Sequence, residues 1–180
     1  MTATTVKSEN ITNVESSPVN ALDRKKGRKK IIIDQDAIAT TSIDETADIM
    51  LFGPIPSNAV ITDIKILNDD LDSHACPTLA VDCGLYYSGI GGTQVINGNT
   101  SGTAVDVDCF ASAATSLQAA NTTWTSVRYE ADDIVDVKKE AWSVGGLTSD
   151  PGGLLYVGFK VTTVSATPAA GDIVLCVEYI

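Results

Sequence analysis

The chain has 180 residues, of which 44% are apolar and 19% charged, a length that fits one domain with an appendage and enough apolar surface for one core. Its net charge of -11 is unevenly placed, because residues 1–30 hold seven Lys or Arg against three acids and the remainder holds five against twenty. An acidic body is repelled by phosphates, so nucleic acid is disfavoured as a partner except at the basic leader. No apolar run reaches the ~20 residues of a membrane helix and the polar start lacks the apolar stretch of a signal peptide, so the chain reads as soluble, with no membrane partner.

Residues 1–30 are rich in Thr, Ser, Asn and Val, carry no helical stripe, and end in Arg24-Lys25-Lys26-Gly27-Arg28-Lys29-Lys30. Such a segment is expected to be an extended arm that orders only against something else. From Ile31 onward, β-rich runs alternate with turn punctuation, the pattern of an all-β antiparallel sandwich occupying residues 31–180. Strands are expected near 30–38, 47–52, 60–67, 79–87, 122–129, 154–164 and 173–179. Gly53-Pro54-Ile55-Pro56-Ser57-Asn58 is expected as a loop, since proline lacks the ladder donor. In the third strand Asp63 and Lys65 share one face, which leaves Ile64 and Ile66 on the face that meets the core. Residues 88–102 form a Gly-rich loop, and Gly145-Gly146 and Asp150-Pro151-Gly152-Gly153 bracket another. The Ala-rich run 111–120 is the one expected helix, two to three turns long.

Candidate chemistry is sparse. His74 is the single histidine, and no serine stands in a nucleophile-elbow pattern that it would serve. His74, Cys76 and Cys83 lack the paired spacing of a structural zinc site, and Cys76 reads as a small core thiol beside a loop histidine. With no CxxC pair and no export signal, disulfides are not the default for Cys76, Cys83, Cys109 and Cys176, and Cys176 reads as a buried apolar group in an alternating strand. Asn68-Asp69-Asp70-Leu71-Asp72 and Asp132-Asp133 lack the order of a calcium loop and read as solvated acidic loops. Asp106 and Asp108 alternate with Val105 and Val107, two polar positions of one strand face. The Gly89-x-Gly91-Gly92 run does not open a helix and so does not cradle phosphate. No cofactor and no metal are implied. Trp124 reads as core or interface, and Trp142, ahead of a Gly-rich loop, as an aromatic placed to meet a partner.

The order of segments resembles that of a family of small virion proteins of tailed bacteriophages, the capsid decoration or cement proteins. The leader Thr5-Val6-Lys7-Ser8-Glu9-Asn10-Ile11-Thr12-Asn13 with Ser17-Pro18 looks like that family's arm, and Gly53-Pro54-Ile55-Pro56-Ser57-Asn58-Ala59 stands in place of its Leu-Pro-x-Gly/Asn-Ala turn. Val81-Asp82-Cys83-Gly84-Leu85-Tyr86 is similar to its Asp-x-Gly-Leu-Tyr strand. Val107-Asp108-Cys109-Phe110-Ala111-Ser112-Ala113 and the run from Trp142 to Gly153 complete the set. Where the family often has Trp-Glu this chain has Trp142-Ser143, so no role of that acid carries over.

The resemblance implies a jelly-roll-like sandwich, no enzymatic activity, and attachment to the major capsid protein, often with sister copies as a homotrimer or another symmetric oligomer. On that reading the protein is made in the host cytoplasm and ends on the outer capsid surface, its N-terminal arm clamping neighbouring subunits. Arg24, Lys25, Lys26, Arg28, Lys29 and Lys30 are the candidates for acidic contacts, Ile11, Val14 and Val19 are apolar pegs, and Trp142 is a further contact. The alternative is a head-tail or fibre-associated module that binds a receptor or glycan through residues 88–102 and Tyr86, Tyr87 and Trp142. A hydrolase would need a polar pocket around His74.

Overall fold

A computed structural model describes residues 29–90, 101–128, 131 and 134–180, and the observations below concern those residues. Eight strands are present: β1 (Lys30–Ile38), β2 (Ile49–Pro56), β3 (Ile61–Asn68), β4 (Ala80–Tyr87), β5 (Ala104–Ala114), β6 (Asn121–Ser126), β7 (Leu154–Thr163) and β8 (Gly171–Tyr179). They form two four-stranded sheets, ordered β1-β8-β3-β6 (sheet A) and β2-β7-β4-β5 (sheet B). Every pairing is antiparallel. Eight strands dealt between two sheets in this order make a jelly roll, so the expected all-β sandwich is the one observed.

Alternation explains why these segments face each other. Ile64 and Ile66 of β3, Leu155, Val157, Phe159 and Val161 of β7, and Ile173, Leu175 and Val177 of β8 are all buried in one core. Their odd or even spacing places each set on the inner face of its sheet. Phe52 and Phe159 meet edge to face, with ring centroids 6.0 Å apart. Ile61 and Ile64, three residues apart, both face the core because β3 shifts register between Ile61 and Asp63.

Three sequence expectations need correction. The run 53–58 is not wholly a loop: β2 continues through Pro56, absorbing Pro54 at a register shift between Phe52 and Ile55. Gly53, at φ +115, makes that bulge, and β2 lies at a sheet edge, where a residue with no N–H breaks no ladder.

The expected helix over 111–120 does not form. Residues through Ala114 belong to β5, and Ala113, at φ +50, cannot sit inside a right-handed helix. Its N–H instead donates to Asp82 Oδ1 at 2.9 Å. Among the described residues the α-helix of the fold is α1 (Ala141–Val144), four residues long, and no helix is long and apolar enough to cross a membrane.

Cys76, expected in the core, is exposed, whereas Cys176 is buried as expected.

Candidate partner-binding site

Of the expected contact residues, Ile11, Val14, Val19, Arg24, Lys25, Lys26 and Arg28 lie outside the described residues. Lys29, Lys30 and Trp142 are described. Lys29 Nζ forms an ion pair with Glu178 Oε2, and Lys30 Nζ stands 5.8 Å from the centre of the Tyr179 ring. Both lysines therefore tie the root of the leader to β8.

Glu178 is the hub of a charged row on the outer face of sheet A. Lys65 Nζ reaches Glu178 Oε1 at 2.9 Å and Asp63 Oδ2 at 3.2 Å, and Ser126 Oγ donates to Asp63 Oδ1 at 2.7 Å. The row thus crosses all four strands, from the start of β1 to the end of β6. Lys29 and then Lys65 hold the Glu178 carboxyl below its ordinary value. Glu178 and then Asp63 hold the Lys65 ammonium above its own.

Beside this row the outer face of sheet A is apolar and open. Ile31 and Ile33 are 55% and 64% exposed, and Trp124 on β6 is 44% exposed. Register places Ile31 opposite Glu178 and Ile33 opposite Cys176, with Lys65 on the far side of Cys176. Exposed isoleucines on an edge strand are the feature that sequence reading passed over. The run Ile31-Ile32-Ile33 carried the signal, since alternation within a strand puts two of the three on one face.

Trp142 is half-buried rather than presented to solvent. Its backbone N–H donates to Ser57 O at 3.0 Å, and its indole N–H to Glu140 Oε2 at 2.6 Å. The backbone of α1 is thus tied to the turn after β2, and the indole is tied to Glu140 just ahead of the helix. Of the two tryptophans, Trp124 is the more open.

The acidic segment at Asp69–Asp72 is neither a cation loop nor a solvated one at its last residue. Asp72 is 1% exposed. Its Oδ2 accepts the backbone N–H groups of Thr78 at 2.7 Å, Leu79 at 3.0 Å and Ala166 at 3.2 Å, and its Oδ1 that of Thr167 at 3.1 Å. Burial by itself would raise this carboxyl, but the four donors outweigh it and hold the group far below the usual carboxylate range. Asp72 is a clasp between two loops. Beside it a shallow cleft of about 260 Å³ lies among Leu67, Asn68, Asp69, Asn121 and Asp172. Its amides are already engaged, Asn121 Nδ2 donating to Asn68 Oδ1 at 2.7 Å and Asn68 Nδ2 to Ala119 O at 3.0 Å.

Asp106 and Asp108 do share one strand. Burial, and next to it the Asp108 side chain, push the Asp106 carboxyl above its ordinary value. His74 is exposed, and its Nδ1 lies 3.0 Å from the donating N–H of Cys76. Among the described residues no three His, Cys, Asp or Glu side chains are grouped to hold a metal. Tyr86, a residue of the glycan-binding alternative, is fully buried, and Tyr87 packs against the core.

Neither a protein-family model nor a curated protein matches the chain. Two solved structures are similar to it. One is a chain of the cyanophage Pam1 capsid asymmetric unit, with 20% identity and a TM-score of 0.59 over 92% of this chain and 95% of that one. The other is a chain of the capsid of Ralstonia phage GP4, with 23% identity and a TM-score of 0.53 over 84% of each chain. The jelly roll of this chain is therefore a fold also built by chains of two bacteriophage capsids.

Proposed function

We propose that this protein is a non-enzymatic virion structural protein of a tailed bacteriophage, one that decorates and stabilises the capsid by binding the major capsid protein. The observation that carries the reading is the fold likeness to capsid chains, which runs over 92% of this chain rather than over a fragment. Residues 1–30 act as an arm that clamps neighbouring subunits, and residues 31–180 form the body on the outer surface. Sister copies associate into a symmetric oligomer.

The physical case for the arm rests on charge and on entropy. A leader with seven basic residues precedes a body with five basic and twenty acidic ones, so leader and body favour opposite surfaces. Ordering the leader costs about 1–2 kcal/mol per residue, which only strand pairing, apolar pegs such as Ile11, Val14 and Val19, and ion pairs with a partner can offset. Lys29 and Lys30 anchor the root of the leader, because both are held against β8. Many copies, each bridging a subunit boundary, resist expansion of the shell through multivalency.

The test is a chain lacking residues 2–28, which keeps Lys29 and Lys30 on β8. It is expected to retain its β circular dichroism and to lose binding to shells of the major capsid protein in a co-sedimentation assay. Full occupancy by the truncated chain would refute the clamp.

A further inference from the structure

A sheet has two edges, and this sandwich therefore has four edge strands, β1, β6, β2 and β5. Three are interrupted. The register of β2 shifts at the Gly53-Pro54 bulge, that of β6 shifts against β3, and that of β5 shifts three times against β4. Besides charged side chains, which β1 carries at Lys30, Asp34 and Asp36, bulges, prolines and shortness are the means by which proteins keep an edge from recruiting another chain. β1 uses none of these last three: its nine residues pair with β8 without a break, from Lys30↔Tyr179 to Ile38↔Gly171, and among the described residues it pairs with β8 alone.

The sequence of that edge is complementary to itself. Read against a second copy in the antiparallel sense, Lys30-Ile31-Ile32-Ile33-Asp34 puts Lys30 opposite Asp34, Ile31 opposite Ile33, and Ile32 opposite its own counterpart. Ile31 and Ile33, more than half exposed, lie on one face of β1, so this register brings four isoleucines together on the outer side of the joined sheet. Oppositely charged pairs facing each other across two strands are stabilising and like-charged pairs are not. Any register displaced by one residue loses both the Ile31–Ile33 match and the charge match.

We infer that two copies of this chain join edge to edge through β1, antiparallel and about a two-fold axis, making one eight-stranded sheet from two copies of sheet A. The contact is isologous, each copy giving the same patch to the other, so it closes at two. The inference rests on the self-association named in the proposed function and supplies the surface for it. It leaves β6, with Trp124, at the two outer ends of the joined sheet.

The test is sedimentation velocity on the full chain, with its single variants Lys30→Asp and Asp34→Lys and their equimolar mixture. Either variant alone sets like charges opposite each other twice per pair, and association is expected to weaken by about 10-fold or more. The mixture restores both attractive pairs, and association is expected to return. Asp34 Oδ2 also accepts the Gly53 N–H at 3.1 Å, so if Asp34→Lys lowers the melting temperature, Ile33→Glu, at a side chain 64% exposed, serves instead and is expected to weaken association as well. A wild-type chain that stays monomeric overturns both the pairing and the self-association reading. If its Ile31–Ile33 amides are then slow to exchange, the edge belongs to a segment of the same chain. An oligomer unmoved by either variant, or a mixture that does not recover, keeps self-association and overturns the β1 surface.

Discussion

The two sheets bury their inner faces alike and differ on their outer ones. Sheet B is closed over along β4 and β7 by its own chain, with Ile49 at the start of β2 left 42% exposed. Every residue of β4 from Ala80 to Tyr86 is buried, although alternate residues must point away from the core. The cover is β5: a Cβ on Gly84 would fall 2.1 Å from the Asp106 carbonyl oxygen and 2.4 Å from the Val107 carbonyl carbon. Likewise a Cβ on Gly158 would fall 2.7 Å from Tyr86 Cε2, so that ring lies flat across β7. Sheet A has no such cover among the described residues, and it leaves Ile31, Ile33 and Trp124 exposed. The difference is one of cover: the centre of sheet B is overlaid by its own chain, whereas the outer face of sheet A carries open apolar side chains on β1 and β6.

Substitutions can break this division at graded cost. Phe159→Ala removes a fully buried ring from the strand at the centre of the core, together with its edge contact on Phe52. It is expected to cost about 4 kcal/mol in denaturant unfolding. Gly84→Ala forces β5 off β4 and is expected to cost about 3 kcal/mol, a loss that repacking of side chains cannot relieve because the clashing atoms are backbone.

Asp72→Asn, which keeps the size of the clasp and loses its charge, is expected to cost about 2 kcal/mol at neutral pH. The Asp72 carboxyl titrates lower in the folded chain than in the unfolded one, so its stabilisation is complete above pH ~4 and is lost as pH falls below that. Unfolding of the wild type followed between pH 7 and pH 2 should show this decline, and the Asn variant should show a shallower one. Equal slopes would mean that Asp72 is not the clasp.

The smallest effect on stability belongs to Ile33→Thr, expected within about 0.5 kcal/mol of the wild type because the side chain is 64% exposed. The same substitution should weaken association of copies. A fold as sensitive to Ile33→Thr as to Phe159→Ala would erase the distinction between the sheets.

Most of sheet A was legible in the sequence, because its strands alternate. β1 and β8 follow directly from Ile31-Ile32-Ile33 and from Ile173 through Tyr179, and Asp63 and Lys65 mark the outer face of β3. β5 was not legible. Its Ala-rich second half has helical propensity, and tertiary contacts override it: Ala113 is held by Asp82, while the strand bends over Gly84. Nor does composition tell a solvated aspartate from Asp72, since the donors that cage it come from positions 6, 7, 94 and 95 residues away. The contact residues were legible in kind and less so in place. Trp142 was expected outside and is half-buried, whereas Trp124 and the two β1 isoleucines stand open.

Hydrogen exchange on the chain bound to shells of the major capsid protein, as proposed, set against the free chain, tests the difference between the sheets most directly. On assembly, slowed exchange should fall on residues 1–28 and on sheet A, with β4, β5 and β7 unchanged. Protection that gathers on sheet B while the leader exchanges as fast as before would contradict the account.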